Sequence, residues 1–247
     1  MKHGWKALSG VLLCSLVIGA ISVKIYIDNY LAEYLQGQYQ QSIEVWRETN
    51  KTLPKNGIVF LGDSITQGFN VHEFYYELPV INRGIIGDTT TGVLARMTES
   101  VYELAPSKIF LLIGSNDLGE ENKTSQYIAA NIEKIIMGIK ENSPSTTIYV
   151  QSIYPVYTSK HPKVKKSEVS TRTNEKIQET NAAIQATCES IGATYIDVYS
   201  CLLDSRGELD IQYTTEGLHL NVVGYQKVME LLSPYILEEA ESDNHVR

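Results

Sequence analysis

The sequence predicts an α/β fold, a parallel five-stranded sheet covered by helices on both faces. Three observations carry that expectation. Five short runs have strand length: GIVFLG (57–62), PVINRG (79–84), KIFLLIG (108–114), TIYVQSI (147–153) and ATYIDVY (193–199). They are β-branched and continuously apolar rather than alternating, as strands buried on both faces are. Between and after them lie helical patterns at 90–105, 125–142, 174–192 and 221–236. Strands alternating with helices imply crossover connections and a parallel sheet. In such sheets the active groups gather beyond the carboxyl ends of the strands.

Ahead of the first strand the chain differs in character. ALSGVLLCSLVIGAISV (7–23) is an uncharged apolar run that follows Lys2 and Lys6. Its length lies at the lower edge of what spans a bilayer, about 17–25 residues. The basic flank places the start of the chain in the cytoplasm and the main domain outside. Residues 1–24 are therefore expected to be a signal anchor and single transmembrane segment in the cell membrane. The alternative is a signal peptide cut near Ala20-Ile21-Ser22, which would release a secreted protein. Residues 25–50 have helical spacing, with Tyr30, Tyr34, Ile43 and Trp46 as apolar anchors, and 25–52 are expected to form a helical stalk. The α/β domain fills 53–238. Within it, YPVYTSKHPKVKKSEVSTRT (154–173) is the longest irregular piece, either a lid or an insertion. Residues 239–247 read as a polar tail.

Composition narrows the function. At 247 residues the chain is long enough for one α/β domain with a proper core. The net charge is −8, and Lys2, Lys6 and Lys24 are the only charges in the first 24 residues, so the main domain is more acidic still. Such a domain is a poor partner for nucleic acid or an anionic membrane surface. The one basic cluster, KHPKVKK (160–166), reads as a solvated loop. Cys188 and Cys201 read as small buried hydrophobes, with a bridge between them open as the alternative outside the cell.

The stretch FLGDSITQGF (60–69) directs attention to Ser64. A phosphate-binding loop needs GxxxxGK[ST]; here Gly62 and Gly68 have the wrong spacing, and Phe69 and Asn70 occupy the lysine and hydroxyl positions. Ser64 instead follows a strand end directly, where a hydroxyl and its own N–H are exposed. A nucleophilic serine needs a base, and the base needs an orienting group. His219 precedes the last helix, with Glu216 three residues before it, so one turn can aim both side chains the same way. Gly84 ends the second strand, and Asn116 follows the third in IGSNDL. With Ser64 they can supply three donors to an acyl oxygen, each typically contributing about 100- to 1,000-fold in rate. Taken singly these residues suit ordinary caps and turns; four strand-end positions with four complementary roles do not. Asp63 reads as a structural hydrogen-bond acceptor. GxSxG, HExxH, CxxC and GxGxxG patterns are absent.

GDS at 62–64, Gly84 in NRGIIGD, GSND at 114–117 and the ExxH of 216–219 together resemble the ordered blocks of the SGNH (GDSL) hydrolases. NRGIIGDTTTGVLARM is similar to the branch of platelet-activating-factor acetylhydrolase catalytic subunits. The resemblance runs from 57 to about 235. It implies a flavodoxin-like three-layer α/β/α fold and a carboxylic ester hydrolase that uses no metal or other cofactor. By the same resemblance Ser64 is the nucleophile, His219 the base, and Gly84 and Asn116 oxyanion donors. One departure stands out: the family usually has Asp where this chain has Glu216, a side chain longer by one methylene. The expected protein is an extracytoplasmic serine esterase acting on small acyl, chiefly acetyl, esters. The alternatives are a lysophospholipase-type acylhydrolase and a decayed domain that binds glycans.

Overall fold

The computed structural model describes residues 2–120 and 122–238, with side chains from residue 16 onward. The polar tail expected at 239–247 lies outside the described residues. The chain divides into two compact units, residues up to Glu44 and residues from Val45. Helix α1 (Lys2–Thr49) forms the first and contributes 45–49 to the second.

The first unit is uninterrupted helix, so no break separates the expected membrane segment from the expected stalk. Leu16, Ile18, Ile21, Val23 and Ile25 are exposed, as are Tyr26, Tyr30 and Tyr34. Lys24 pairs with Asp28 one turn on, 3.1 Å away. Among the described residues no helix is long and apolar enough to cross a membrane. The side chains of 7–15, the first part of the apolar run, lie outside them.

The second unit begins earlier than the expected boundary at 53, because the end of α1 is built into it. The Trp46 ring lies under two guanidinium groups, Arg83 at 4.8 Å and Arg96 at 5.3 Å. Asn50 accepts from Arg83 and donates to the Glu99 carbonyl and Glu103. Then follow β1 (Ile58–Gly62), α2 (Ser64–Gly68), α3 (Val71–Phe74), β2 (Val80–Gly84), α4 (Thr90–Ala95) and β3 (Lys108–Leu112). The rest comprises α5 (Ser125–Asn142), β4 (Thr147–Gln151), α6 (Lys166–Val169), α7 (Asn174–Ile191), β5 (Thr194–Ile196) and α8 (Val222–Leu237).

All five strands are parallel, in the order β2-β1-β3-β4-β5. This is the flavodoxin-like order, in which the chain reverses winding direction between β1 and β3 and leaves a crevice beyond their carboxyl ends. The central strands β1 and β3 have no solvent face. Val59, Leu61, Ile109 and Leu111 pack into one core with Ile128, Ile132, Ile135 and Ile139 of α5. Ile58, Phe60, Phe110 and Leu112 pack into the other with Tyr225, Val228 and Leu232 of α8. Two-sided burial explains why these strands read as continuous apolar runs. Thr89, Thr124, Thr173 and Asn221 begin α4, α5, α7 and α8 by accepting a hydrogen bond from the first helical turn.

The helix expected over 90–105 is broken. It leaves α geometry at Arg96 and resumes as a π-helical turn, Thr98–Tyr102. The Arg96 side chain is drawn inward, donating to Asp88 at 2.7 Å, the Gly62 carbonyl at 2.9 Å, the Arg83 carbonyl at 3.0 Å and Ser100 at 2.8 Å. These bonds hold the ends of β1 and β2 to the loop that follows β2. Cys188 and Cys201 are both free thiols, so the bridge left open by the sequence is not formed. Burial pushes each up to about 11. The 154–173 segment is a packed wall rather than a detached lid: the Tyr157 and Lys165 N–H groups donate to the Gly217 and Glu216 carbonyls at 2.9 and 2.8 Å. The lysines at 160, 163, 165 and 166 are exposed, as expected of a solvated loop.

Candidate active site

Ser64 is the first residue of α2, immediately past β1. The Asp63 carboxylate accepts from the Ile65 N–H at 2.9 Å and so sets the start of that helix. Asp63 is buried, and burial raises its pKa to about 7 against the opposing pull of the Ile65 N–H. The Ser64 Oγ lies 2.9 Å from His219 Nε2, although the two residues are 155 positions apart in sequence. His219 Nδ1 lies 2.7 Å from Glu216 Oε1, and the His219 backbone N–H also donates to that oxygen, at 2.8 Å. An ionised carboxylate can only accept, so Nδ1 carries the proton and Nε2 is left as the acceptor for the serine hydroxyl. Burial pushes the Glu216 pKa up, but hydrogen bonds from Thr215 and from the His219 N–H and ring outweigh it and hold it below the usual carboxylate value.

The 214–219 turn is fixed from within. Thr214 Oγ1 accepts from the Gly217 N–H at 2.8 Å and donates to the His219 carbonyl at 2.8 Å. Gly217 sits at φ +106, a region that side chains rarely adopt. Tyr225 of α8 donates to the Ile65 carbonyl at 2.8 Å, linking the helix after His219 to the helix that carries Ser64.

Asn116 follows β3. Its Nδ2 donates one hydrogen to the Asp88 carbonyl at 2.8 Å, which leaves the second. The neighbouring Asp117 is buried, and both its oxygens accept from Thr90, pinning this loop to the start of α4. The Ser64 N–H has no partner among the described residues. Gly84 differs from expectation. Its N–H donates to Asn82 Oδ1 at 2.8 Å, and that side chain is anchored by donating to the Thr66 and Phe69 carbonyls. Gly84 is instead a close-packing residue, since a Cβ there would lie 2.2 Å from the Gln67 nitrogen. With its N–H taken by Asn82, Gly84 does not offer the oxyanion donor expected of it.

Residues 60–227 match the model of the GDSL-like lipase/acylhydrolase family. The chain belongs to that family. This GDSL-like protein is an ester hydrolase. It is 26% identical over 191 residues to platelet-activating factor acetylhydrolase IB subunit alpha1 of Bos taurus, covering 75% of this chain and 77% of that one. Among solved structures it resembles a Streptococcus pneumonia protein assigned provisionally as a platelet activating factor, with TM-score 0.78, 32% identity and coverage of 88% and 99%. A GDSL-like lipase from Bacteroides thetaiotaomicron gives TM-score 0.69 at 25% identity, covering 79% and 97%.

Within this GDSL-like fold, two residues escaped the sequence reading. Gly87 precedes Asp88 in the same NRGIIGD stretch, sits at φ +74, and has an N–H without a partner among the described residues. Its loop is held between α2 and Asn116, because the Ile86 N–H donates to Gln67 and the Asp88 carbonyl accepts from Asn116. The signal was a second glycine three residues beyond the strand end. Arg172, in the polar 154–173 stretch, is buried and contacts Asn116. No sequence feature distinguishes it from a solvated arginine.

Proposed function

We propose that this ester hydrolase is an extracytoplasmic serine esterase cleaving small acyl esters, chiefly acetyl esters, through Ser64, His219 and Glu216. The observation that carries the reading is the unbroken contact from Ser64 Oγ through the His219 ring to Glu216. Ser64 Oγ attacks the ester carbonyl carbon while His219 Nε2 takes its proton. The Glu216 carboxylate stabilises the imidazolium and holds the ring. The tetrahedral oxyanion is met by the Ser64 and Gly87 N–H groups and the second Nδ2 hydrogen of Asn116. Collapse expels the alcohol, which takes the proton from His219. Water then attacks the acyl-enzyme by the same route and releases the acid.

Acetyl preference is supported by the curated relatives named as acetylhydrolases. The acceptor alcohol belongs to a glycan or a lipid. An acyl-length series of nitrophenyl esters tests the preference: kcat/KM should be highest for acetate and fall with chain length, whereas a rise toward long chains would favour the lysophospholipase reading. The membrane reading rests on the basic start, the uncharged run at 7–23 and the exposed apolar side chains from Leu16 to Ile25. Fractionated cells should hold the full chain in the membrane pellet, with its α/β unit cleaved by protease added outside. Recovery in the cytoplasmic fraction would refute this location.

A further inference from the structure

We infer that Arg172 is a positioning residue for the oxyanion donor Asn116, locking its carboxamide with the N–H side toward the reacting carbonyl. The inference deepens the esterase reading and rests on it. Arg172 is 7% exposed, yet among the described residues it pairs with no carboxylate. Its guanidinium is held entirely by neutral acceptors. Nε donates to the Ser115 carbonyl at 2.7 Å, one terminal nitrogen to the Glu168 and Val169 carbonyls at 3.0 and 3.2 Å, and the other to Asn116 Oδ1 at 3.0 Å. A buried cation without a counter-charge is costly. Burial accordingly lowers the Arg172 pKa, with the charges of Asp63 and Glu168 opposing. Three of the four bonds fasten it to backbone; the fourth goes to the one side chain able to stabilise an acyl oxyanion.

The chemistry of the two neighbours leaves Asn116 a single orientation. A carboxamide works as an oxyanion donor only with its nitrogen toward the substrate, and in isolation it rotates freely between two nearly equivalent faces. Guanidinium has only donors and a peptide carbonyl only acceptors. As placed, Asn116 Oδ1 accepts from Arg172 while Nδ2 donates to the Asp88 carbonyl. Rotation by half a turn would set donor against donor at Arg172 and acceptor against acceptor at Asp88. The charged donor on Oδ1 also draws electron density from the amide and strengthens the remaining N–H as a donor. The surroundings leave room for this arrangement: a Cβ on Gly119 would lie 3.2 Å from the guanidinium.

The test is a double-mutant cycle in the full chain, with kcat and KM for nitrophenyl acetate and the thermal midpoint measured for each variant. Asn116→Ala should lower kcat by about 100- to 1,000-fold. Arg172→Met, which keeps the buried stem but removes every donor, should lower kcat by about 10- to 100-fold with KM within about threefold. Combined with Asn116→Ala it should remove no more than about threefold further, because the group it positions is already gone. A merely structural arginine would instead multiply its loss in both backgrounds. That multiplication, or an Arg172→Met kcat within about twofold of the parent, would overturn the inference. Should Arg172→Met fail to fold, Arg172→Lys keeps the charge without the fork and is read by the same cycle and the same criteria. Ser64→Ala run alongside separates the two levels. If it stays active the esterase reading itself falls; if it is inactive while the cycle is multiplicative, only the role of Arg172 falls.

Discussion

At Glu216, where the resemblance leads one to expect an aspartate, the longer side chain still meets the His219 ring. The carboxylate reaches both the ring and the backbone N–H of His219 with one oxygen, while the other is met by Thr215. Shortening it should therefore be harmful here: Glu216→Asp is expected to lower kcat by about 10- to 100-fold through misplacement of the ring. Glu216→Gln should be worse, about 1,000- to 10,000-fold, because an amide nitrogen facing Nδ1 favours the wrong tautomer. Steady-state kcat of the two variants checks the order. Asp63 supplies a pH dependence of stability. Its folded pKa, about 7, lies above the ordinary 3.8, so the folded state holds a proton that the unfolded chain has lost. Stability from this group is full below about pH 4 and declines as pH rises to 7. Asp63→Asn keeps the cap acceptor and removes the titration. Urea unfolding should show its advantage over the parent growing by on the order of 2–4 kcal/mol from pH 4 to 8. An unchanged difference would contradict the assignment.

At the scale of elements, the loops after β1, β2 and β3 and the 214–219 turn carry the function. The two glycines of NRGIIGD separate structure from chemistry. Gly84→Ala forces a Cβ into the α2 backbone and should lower the melting temperature severely. Gly87→Ala has open space and suffers only its positive φ, about 1 kcal/mol, yet it should lower kcat by about 10-fold or more through reorientation of the N–H. Melting curves beside kcat values distinguish the two. Gly217→Ala meets both φ +106 and Val169 and Val164 methyl groups 3.0 and 3.1 Å away, so it should lose about 1–3 kcal/mol and disturb His219 together. Strand identity was legible because two-sided burial leaves an apolar run. The break at Arg96 was not, since a charged residue within a helical pattern reads as a solvated face. The exchange of Gly84 for Gly87 turns on a side chain, Asn82, whose reach only the folded loop reveals.

Across the whole molecule, the site exists because the β2-β1-β3 order sets three strand ends side by side. Gly62 lies opposite both Gly84 and Leu112. The register explains why four blocks far apart in sequence could be read as one constellation: each sits a residue or a few past a strand end, or before the last helix. Arg172 was invisible because burial of a cation in a polar stretch is decided by tertiary packing alone. The domain boundary also lay beyond the sequence pattern, since helical spacing runs without change through Glu44 while Trp46 enters the folded unit. Trp46→Ala should accordingly lower the stability of that unit by about 3–5 kcal/mol, measured by urea unfolding, while leaving the substrate-length preference unchanged. The most direct test of the account is covalent: the full chain is treated with a fluorophosphonate and the adduct located by peptide mass spectrometry. One equivalent on Ser64, with labelling slowed strongly by His219→Ala, is the predicted result. Continued ester hydrolysis with Ser64 unmodified would contradict it.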